Sequence, residues 1–121
     1  KAIDKMIVEF GSEPKNIICA IGPTIRKCHF EVEEDVKNKF YNQFKNICKE
    51  KDFILKSESK QKYYIDTVYL NKKMMTQSGI LEENIVDSNI CTVCNNQLFH
   101  SYRVNKEQAG RSTSIMCLKD K

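Results

Sequence analysis

Ile21-Gly22-Pro23-Thr24-Ile25-Arg26-Lys27-Cys28-His29-Phe30-Glu31-Val32 is the run that decides how this chain folds. Just before it, residues 16–21 form an apolar stretch that reads as a continuous strand, central in a sheet. Gly22-Pro23 stops that strand, because proline has no N–H to give a ladder and glycine accepts the turn. A thiol and an imidazole follow at Cys28-His29. Glu33, Glu34 and Asp35 then sit where a helix start favours negative charge. Reactive groups are therefore expected at a strand end, in the loop that leads to a helix.

Working outward, residues 1–10 read as a helix with Ile3, Ile7 and Phe10 on one apolar face and Met6 beside it. Gly11 ends it, and no capping residue begins it, so the natural chain is expected to extend further upstream. Val36, Phe40, Phe44 and Ile47 recur at helical spacing. Residues 53–55 are a short apolar run of either type, and residues 57–62 are polar and exposed. Asp66 is the expected N-cap of a third helix that turns Leu70 and Met74 inward and stops at Gly79. Residues 84–90, 99–104 and 112–118 read as strands, the last two joined by the turn-rich residues 105–110. The expected fold class is α/β (α+β), a layered mixed β-sheet with helices packed outside, in a single domain over residues 1–121.

An internal echo runs through this order. Lys5-Met6-Ile7, Gly11 and Asn16-Ile17-Ile18 correspond to Lys73-Met74-Met75, Gly79 and Asn84-Ile85-Val86 at a constant offset of 68 residues. Both copies read helix, glycine stop, short turn, strand. The echo is what a duplicated helix–strand architecture would leave, and also what any two helix-to-strand connections share.

Composition narrows the function classes. With 40% hydrophobic and 30% charged residues the chain fits an ordinary globular protein. No apolar run is long enough to span a membrane. The net charge of +4 is spread among acids, which suits a solvated surface better than a nucleic-acid face. The six cysteines follow no secretion signal and lie partly in apolar runs, so they are read as reduced thiols in the cytoplasm.

Three groupings carry chemistry. Cys28-His29 pairs a nucleophile with a base, although neighbours in extended backbone often point apart. Cys91-Thr92-Val93-Cys94 is a CxxC that, with His100, offers three zinc ligands but no evident fourth; the alternative reading is two thiols in a loop beside the core. Phe99, Tyr102, Arg103 and Arg111 bring guanidiniums near aromatic rings, which suits either a base and a phosphate or a plain edge strand. No phosphate-binding glycine loop, GxSxG elbow or HExxH motif is present.

These pieces resemble one family in order. Ile21-Gly22-Pro23, Ile25, Cys28 and Phe30-Glu31-Val32 are similar to the "IGPxIxxCxYEV" signature of the laccase-domain (multicopper polyphenol oxidoreductase) family. Asp66 with Asn71, residues 79–85, Cys91-Thr92 with Cys94, Phe99 with Ser101-Tyr102-Arg103, and Gly110-Arg111 resemble its later motifs. The resemblance implies a zinc-dependent purine nucleoside phosphorylase with adenosine deaminase activity; some members are called peptidoglycan editing factors. It implies zinc held by two histidines and a cysteine in the family's N-terminal half, so this chain would be the C-terminal half and carry no metal ligands. His29 and His100 do not match zinc-ligating positions, and Arg26-Lys27 stands where the family has Gly-Pro. By the resemblance, Cys28 is the catalytic candidate, and Arg103, Arg111, Phe99 and Tyr102 are candidate contacts for a purine nucleoside and phosphate. Pairing with the N-terminal half, or self-association, is expected. The alternatives are a cysteine-type amide hydrolase acting on peptidoglycan precursors and a non-catalytic half-domain.

Overall fold

Two copies of one helix-to-strand connection organise the molecule, which a computed structural model describes over residues 1–117 and 119. In the first copy, α1 (Ala2–Phe10) ends at Gly11 with φ of 62°, a 3-10 turn covers Pro14–Asn16, and β1 (Cys19–Ile21) follows. In the second, α4 (Thr67–Gln77) passes through Ser78 to Gly79 with φ of 90°, a 3-10 turn covers Glu82–Asn84, and β5 (Ile85–Asp87) follows. A left-handed residue lets the chain leave a helix while its N–H still caps a last-turn carbonyl, and only glycine takes that shape without steric cost. The 68-residue echo thus corresponds to a repeated structure.

The two copies lie side by side. Pro14 packs under Gly79, where an added methyl group would sit 3.0 Å from the proline ring. Asn84 Nδ2 donates to the Lys15 carbonyl at 2.8 Å. β1 and β5 pair in parallel, Cys19 opposite Ile85 and Ile21 opposite Asp87. The reading of residues 16–21 as a continuous central strand is corrected here. Residues 14–16 go into the 3-10 turn, and β1 pairs with β5 alone among the described residues. Ile18 is 68% exposed and Val86 58% exposed, so one face of this ladder is uncovered.

The apolar core lies in the other part of the chain. β2 (Glu31–Val32), β4 (Tyr63–Ile65) and β3 (Ile54–Lys56) form an antiparallel sheet in the order β2-β4-β3. α2 (Glu34–Phe44) and α3 (Glu50–Phe53) accompany it. Val32, Phe44, Phe53, Ile54, Ile65 and Leu70 make the buried cluster, with Phe30, Val36, Phe40 and Ile47 against it. Phe30, Phe40, Phe44 and Phe53 form a chain of rings with successive centroids 6.0, 6.3 and 6.2 Å apart. Burying each large apolar side chain contributes about 1.5–3 kcal/mol. Asp66 caps α4 as expected, its Oδ1 accepting the Tyr69 N–H at 2.9 Å. Val68 and Leu70 take the buried positions of α4, and Met74, expected inward, is 38% exposed.

The C-terminal strands do not form among the described residues. Residues 99–104 were expected extended, but the Ser101 carbonyl accepts the Asn105 N–H at 2.8 Å and closes the helical turn α5 (Tyr102–Asn105). Residues 112–117 join no ladder, and Leu118 lies outside the described residues. The expected strand 84–90 is shortened to β5 because Asn89, with φ of 55°, turns the chain just beyond it. The class is α/β as expected, with parallel and antiparallel pairing in two small sheets. No helix among the described residues is long and apolar enough to cross a membrane.

Candidate functional site

The ladder between β1 and β5 continues past both strands and draws their two exit loops together. The Ser88 N–H donates to the Ile21 carbonyl at 2.9 Å, and the Thr24 N–H to the Ile90 carbonyl at 3.2 Å. Thr24 and Cys91 then form a parallel bridge. Side-by-side parallel strands present the loops at their carboxyl ends to each other, the usual place for a site in α/β structures.

Arg26 locks these loops. Its Nε donates to the Ile90 carbonyl at 3.1 Å, its Nη1 to Asp87 Oδ2 at 3.2 Å, and its Nη2 to Asp87 Oδ1. Lys72 Nζ lies 2.9 Å from the same carboxylate, and the Asn89 N–H donates to it at 3.0 Å. The Asp87 side chain is only 7% exposed. The Arg26 guanidinium, helped by Asn89 and Lys72, outweighs burial and holds the Asp87 carboxyl well below the usual carboxylate range. Sequence reading missed this pair; its one signal was Arg26 at a place where the resembled family has glycine.

Beyond the lock, Cys28, His29, Cys91 and Cys94 converge, with one ligand atom from each lying within 4.8 Å of the others. His29 Nδ1 is 3.3 Å from Cys28 Sγ, 3.4 Å from Cys94 Sγ and 3.8 Å from Cys91 Sγ. Cys28 Sγ is 3.7 Å from Cys94 Sγ, and the cysteines are free thiols. Cys28 and His29 face the same way because residues 26–30 make a turn: the His29 and Phe30 N–H groups both donate to the Arg26 carbonyl at 2.9 Å. The expectation that these neighbours point apart is thereby corrected. The described residues thus include a cysteine–histidine group that could hold a metal ion, where the resemblance implies none. The neighbours of Cys91 and Cys94 in it come from the loop after β1, not from His100. His100 instead packs its ring against Gly110, so closely that an added methyl group there would lie 2.6 Å from it.

The thiols are not equivalent. Cys91 is buried, while Cys28 and Cys94 are exposed residues. Burial pushes the Cys91 thiol up, but the N–H groups of Cys94, Arg26 and Val93, with the Cys28 thiol, outweigh it and bring Cys91 down to about 6. Cys28 is pushed up to about 12 by desolvation and by the two thiols beside its sulphur. The residue is exposed, yet its sulphur lies 3.7 Å from Cys94 Sγ and 3.3 Å from His29 Nδ1.

The other predicted residues fall around two neighbouring depressions. Tyr102 and Arg103 line an open cleft of about 410 Å³ together with Pro23, Thr24, Phe30 and Thr92. Arg103 Nη1 donates to the Glu31 carbonyl at 3.0 Å, and its guanidinium lies 5.8 Å from the centre of the Phe30 ring. Tyr102 is 64% exposed and its hydroxyl donates to Glu107 at 3.3 Å. Phe99 lines a second, smaller depression with His100 and Gln108. Arg111 is exposed, and its neighbours Gly110 and Ser112 line the Tyr102–Arg103 cleft. The cleft adjoins the thiol cluster through Thr92, next to Cys91.

With this geometry the chain can be set beside known proteins. Residues 1–119 match the family described as multi-copper polyphenol oxidoreductase laccase. Among curated relatives, purine nucleoside phosphorylase YlmD of Bacillus subtilis is 28% identical over 110 residues, 91% of this chain and 38% of that protein. A purine nucleoside phosphorylase of Staphylococcus epidermidis is 33% identical over 109 residues, 90% of this chain and 39% of its own length. An adenosine deaminase of an unknown prokaryotic organism is 28% identical over 112 residues, covering 93% and 42%. Among solved structures, the hypothetical protein YfiH of Bacillus licheniformis superposes with a TM-score of 0.73 at 29% identity, covering 84% of this chain and 37% of that one. The chain thus spans about two-fifths of the length of the relatives it matches.

Proposed function

This chain belongs to the multi-copper polyphenol oxidoreductase laccase family, and from that membership we propose that it forms part of an enzyme acting on purine nucleosides. The reaction is phosphorolysis of the bond between base and sugar, giving free base and a sugar phosphate, or deamination of adenosine by water, giving inosine and ammonia. The observation that carries this reading is the similarity, over nine-tenths of this chain, to proteins named for those two activities. The cleft beside Thr24 and Thr92 supports it, because it offers an arginine anchored on Glu31 and Phe30 and an aromatic ring at Tyr102.

Arg103 suits the binding of phosphate or of a nucleobase face. Its anchoring uses one nitrogen and leaves the rest of the fork to pair with an anion or stack on a ring. Tyr102 completes the substrate surface in the same cleft, with Arg111 next to its lining residues Gly110 and Ser112 and Phe99 in the neighbouring depression. A zinc ion held by residues outside this span would supply an activated water and stabilise developing charge. The remaining wall of the pocket would come from that part of the protein, or from an associated copy.

The test is to assay the protein with inosine plus phosphate and with adenosine, following base release and ammonia, with and without added zinc. Zinc-dependent turnover by a longer protein containing this span, with negligible turnover by residues 1–121 alone, is the expected result. Replacing Arg103 by Ala should lower kcat/KM by about 10–100-fold, the weight of one or two hydrogen bonds to a charged group. Amide hydrolysis without nucleoside cleavage would overturn the reading in favour of a cysteine hydrolase.

A further inference from the structure

We propose that Cys28, His29, Cys91 and Cys94 together bind one zinc ion in a closed, four-coordinate site whose work is to hold the two exit loops together. A tetrahedral zinc with Zn–S of about 2.3 Å and Zn–N of about 2.0 Å places its sulphurs about 3.8 Å apart and sulphur and nitrogen about 3.5 Å apart. The Cys28–Cys94 sulphur separation is 3.7 Å, and His29 Nδ1 stands 3.3, 3.4 and 3.8 Å from the three sulphurs. Four of the six separations between donors match such an ion, and all six lie within 4.8 Å.

The donor chemistry agrees. Three thiols and one imidazole form a set that zinc favours in structural sites, which fill all four positions with protein ligands. Without an ion the same atoms have only each other, and thiols are weak donors and weak acceptors. On binding, each thiol gives its proton to solvent and its lone pair to zinc, with no change of oxidation state.

The surroundings explain why an ion is needed there. The apolar cluster lies on β2, α2, α3, β3, β4 and α4, whereas in the exit loops, residues 22–30 and 88–100, only Cys91 is buried. The loops are held by a short ladder and one charged lock, and a metal crosslink between residues 28–29 and 91–94 closes a loop of more than sixty residues. Closing so long a segment is where a crosslink restricts the unfolded chain most. This inference does not rest on the nucleoside reading, because metal content needs no turnover to be measured.

The experiment uses the whole chain, purified under reducing conditions from zinc-containing medium. Elemental analysis should find about one zinc per chain. Cobalt(II) added to the metal-free chain should give intense visible bands of tetrahedral geometry and near-ultraviolet bands from thiolate ligands. Cys94→Ser and Cys28→Ser replace exposed residues, so the variants should fold; each should weaken zinc binding by on the order of 100-fold. Cys117→Ser should leave it unchanged. Zinc should also slow amide hydrogen exchange in residues 24–30 and 90–96 of the wild-type chain. A chain free of zinc with no cobalt–thiolate bands would overturn the proposal. So would copper(I) as the retained metal, a Cys28–Cys94 disulfide in the freshly reduced and purified chain, or unchanged zinc affinity in both serine variants.

Discussion

The two parts of this molecule hold their shape by different means. Around α2, β3 and β4, Phe53 and Ile65 are fully buried and a file of aromatic rings fills the space between helix and sheet. Around α1, β1 and β5, Val8 is 83% and Phe10 77% exposed, and contact is kept by a three-residue ladder, an arginine–carboxylate lock and a knot of thiols. Apolar packing is non-directional and tolerant, while ion pairs and ligand sets work only at fixed distances. The part built from fixed distances is the one that carries the thiol cluster and the arginine lock. The lesson is that the buried half stabilises a platform, and the polar half uses that stability to hold reactive groups in place.

The largest effect should come from the packed side. Phe53→Ala removes a fully buried ring at the centre of the cluster and should cost about 3–5 kcal/mol, read as a fall in the urea midpoint with little change in slope. Were the loss under about 1 kcal/mol, the division between a packed and a locked part would fail.

The lock comes next. Asp87→Asn leaves Arg26 and Lys72 facing a neutral amide and should cost about 2–3 kcal/mol, less than a fully buried pair because Arg26 and Lys72 reach solvent. The sign of its pH dependence follows. The folded carboxyl titrates below its unfolded value of about 3.9, so its contribution is complete above that pH and is lost as pH falls below it. Wild-type stability should therefore drop below about pH 4 more steeply than that of the Asn variant, in denaturant titrations run at successive pH values. Parallel profiles would mean that the lock carries no weight in folding.

The smallest effect separates the two repeats. Gly79→Ala meets both a positive φ and the Pro14 ring and should cost about 1–2 kcal/mol, whereas Gly11→Ala meets only the positive φ and should cost about 1 kcal/mol. Equal melting temperatures for the two variants would show that the contact between the repeats is slack.

Much of the platform was readable in the residues themselves. Phe40 and Phe44 recur at helical spacing, Asp66 stands one residue before α4, and both glycine stops fall where the helices end. What escaped was set by partners far along the chain. Glu31–Val32 is too short to announce itself and is a strand only because Tyr63 and Tyr64 lie opposite. Residues 99–104 have strand-like composition, yet a local carbonyl at Ser101 captures the chain into a turn. The cysteine–histidine cluster was hidden for the same reason. Spacing rules search near a CxxC, whereas the partners of Cys91 and Cys94 lie more than sixty residues upstream and arrive through parallel pairing.

That pairing leaves a further consequence. Among the described residues β1 and β5 have only each other, so each keeps one flank of unused amides and carbonyls beside apolar side chains such as Ile18 and Val86. Such a flank is a docking rail for backbone from elsewhere. Whatever segment attaches to it would extend the sheet in a register dictated by Cys19–Ile21 or Ile85–Asp87. Its position would then be fixed relative to the thiols at the far end of the same two strands.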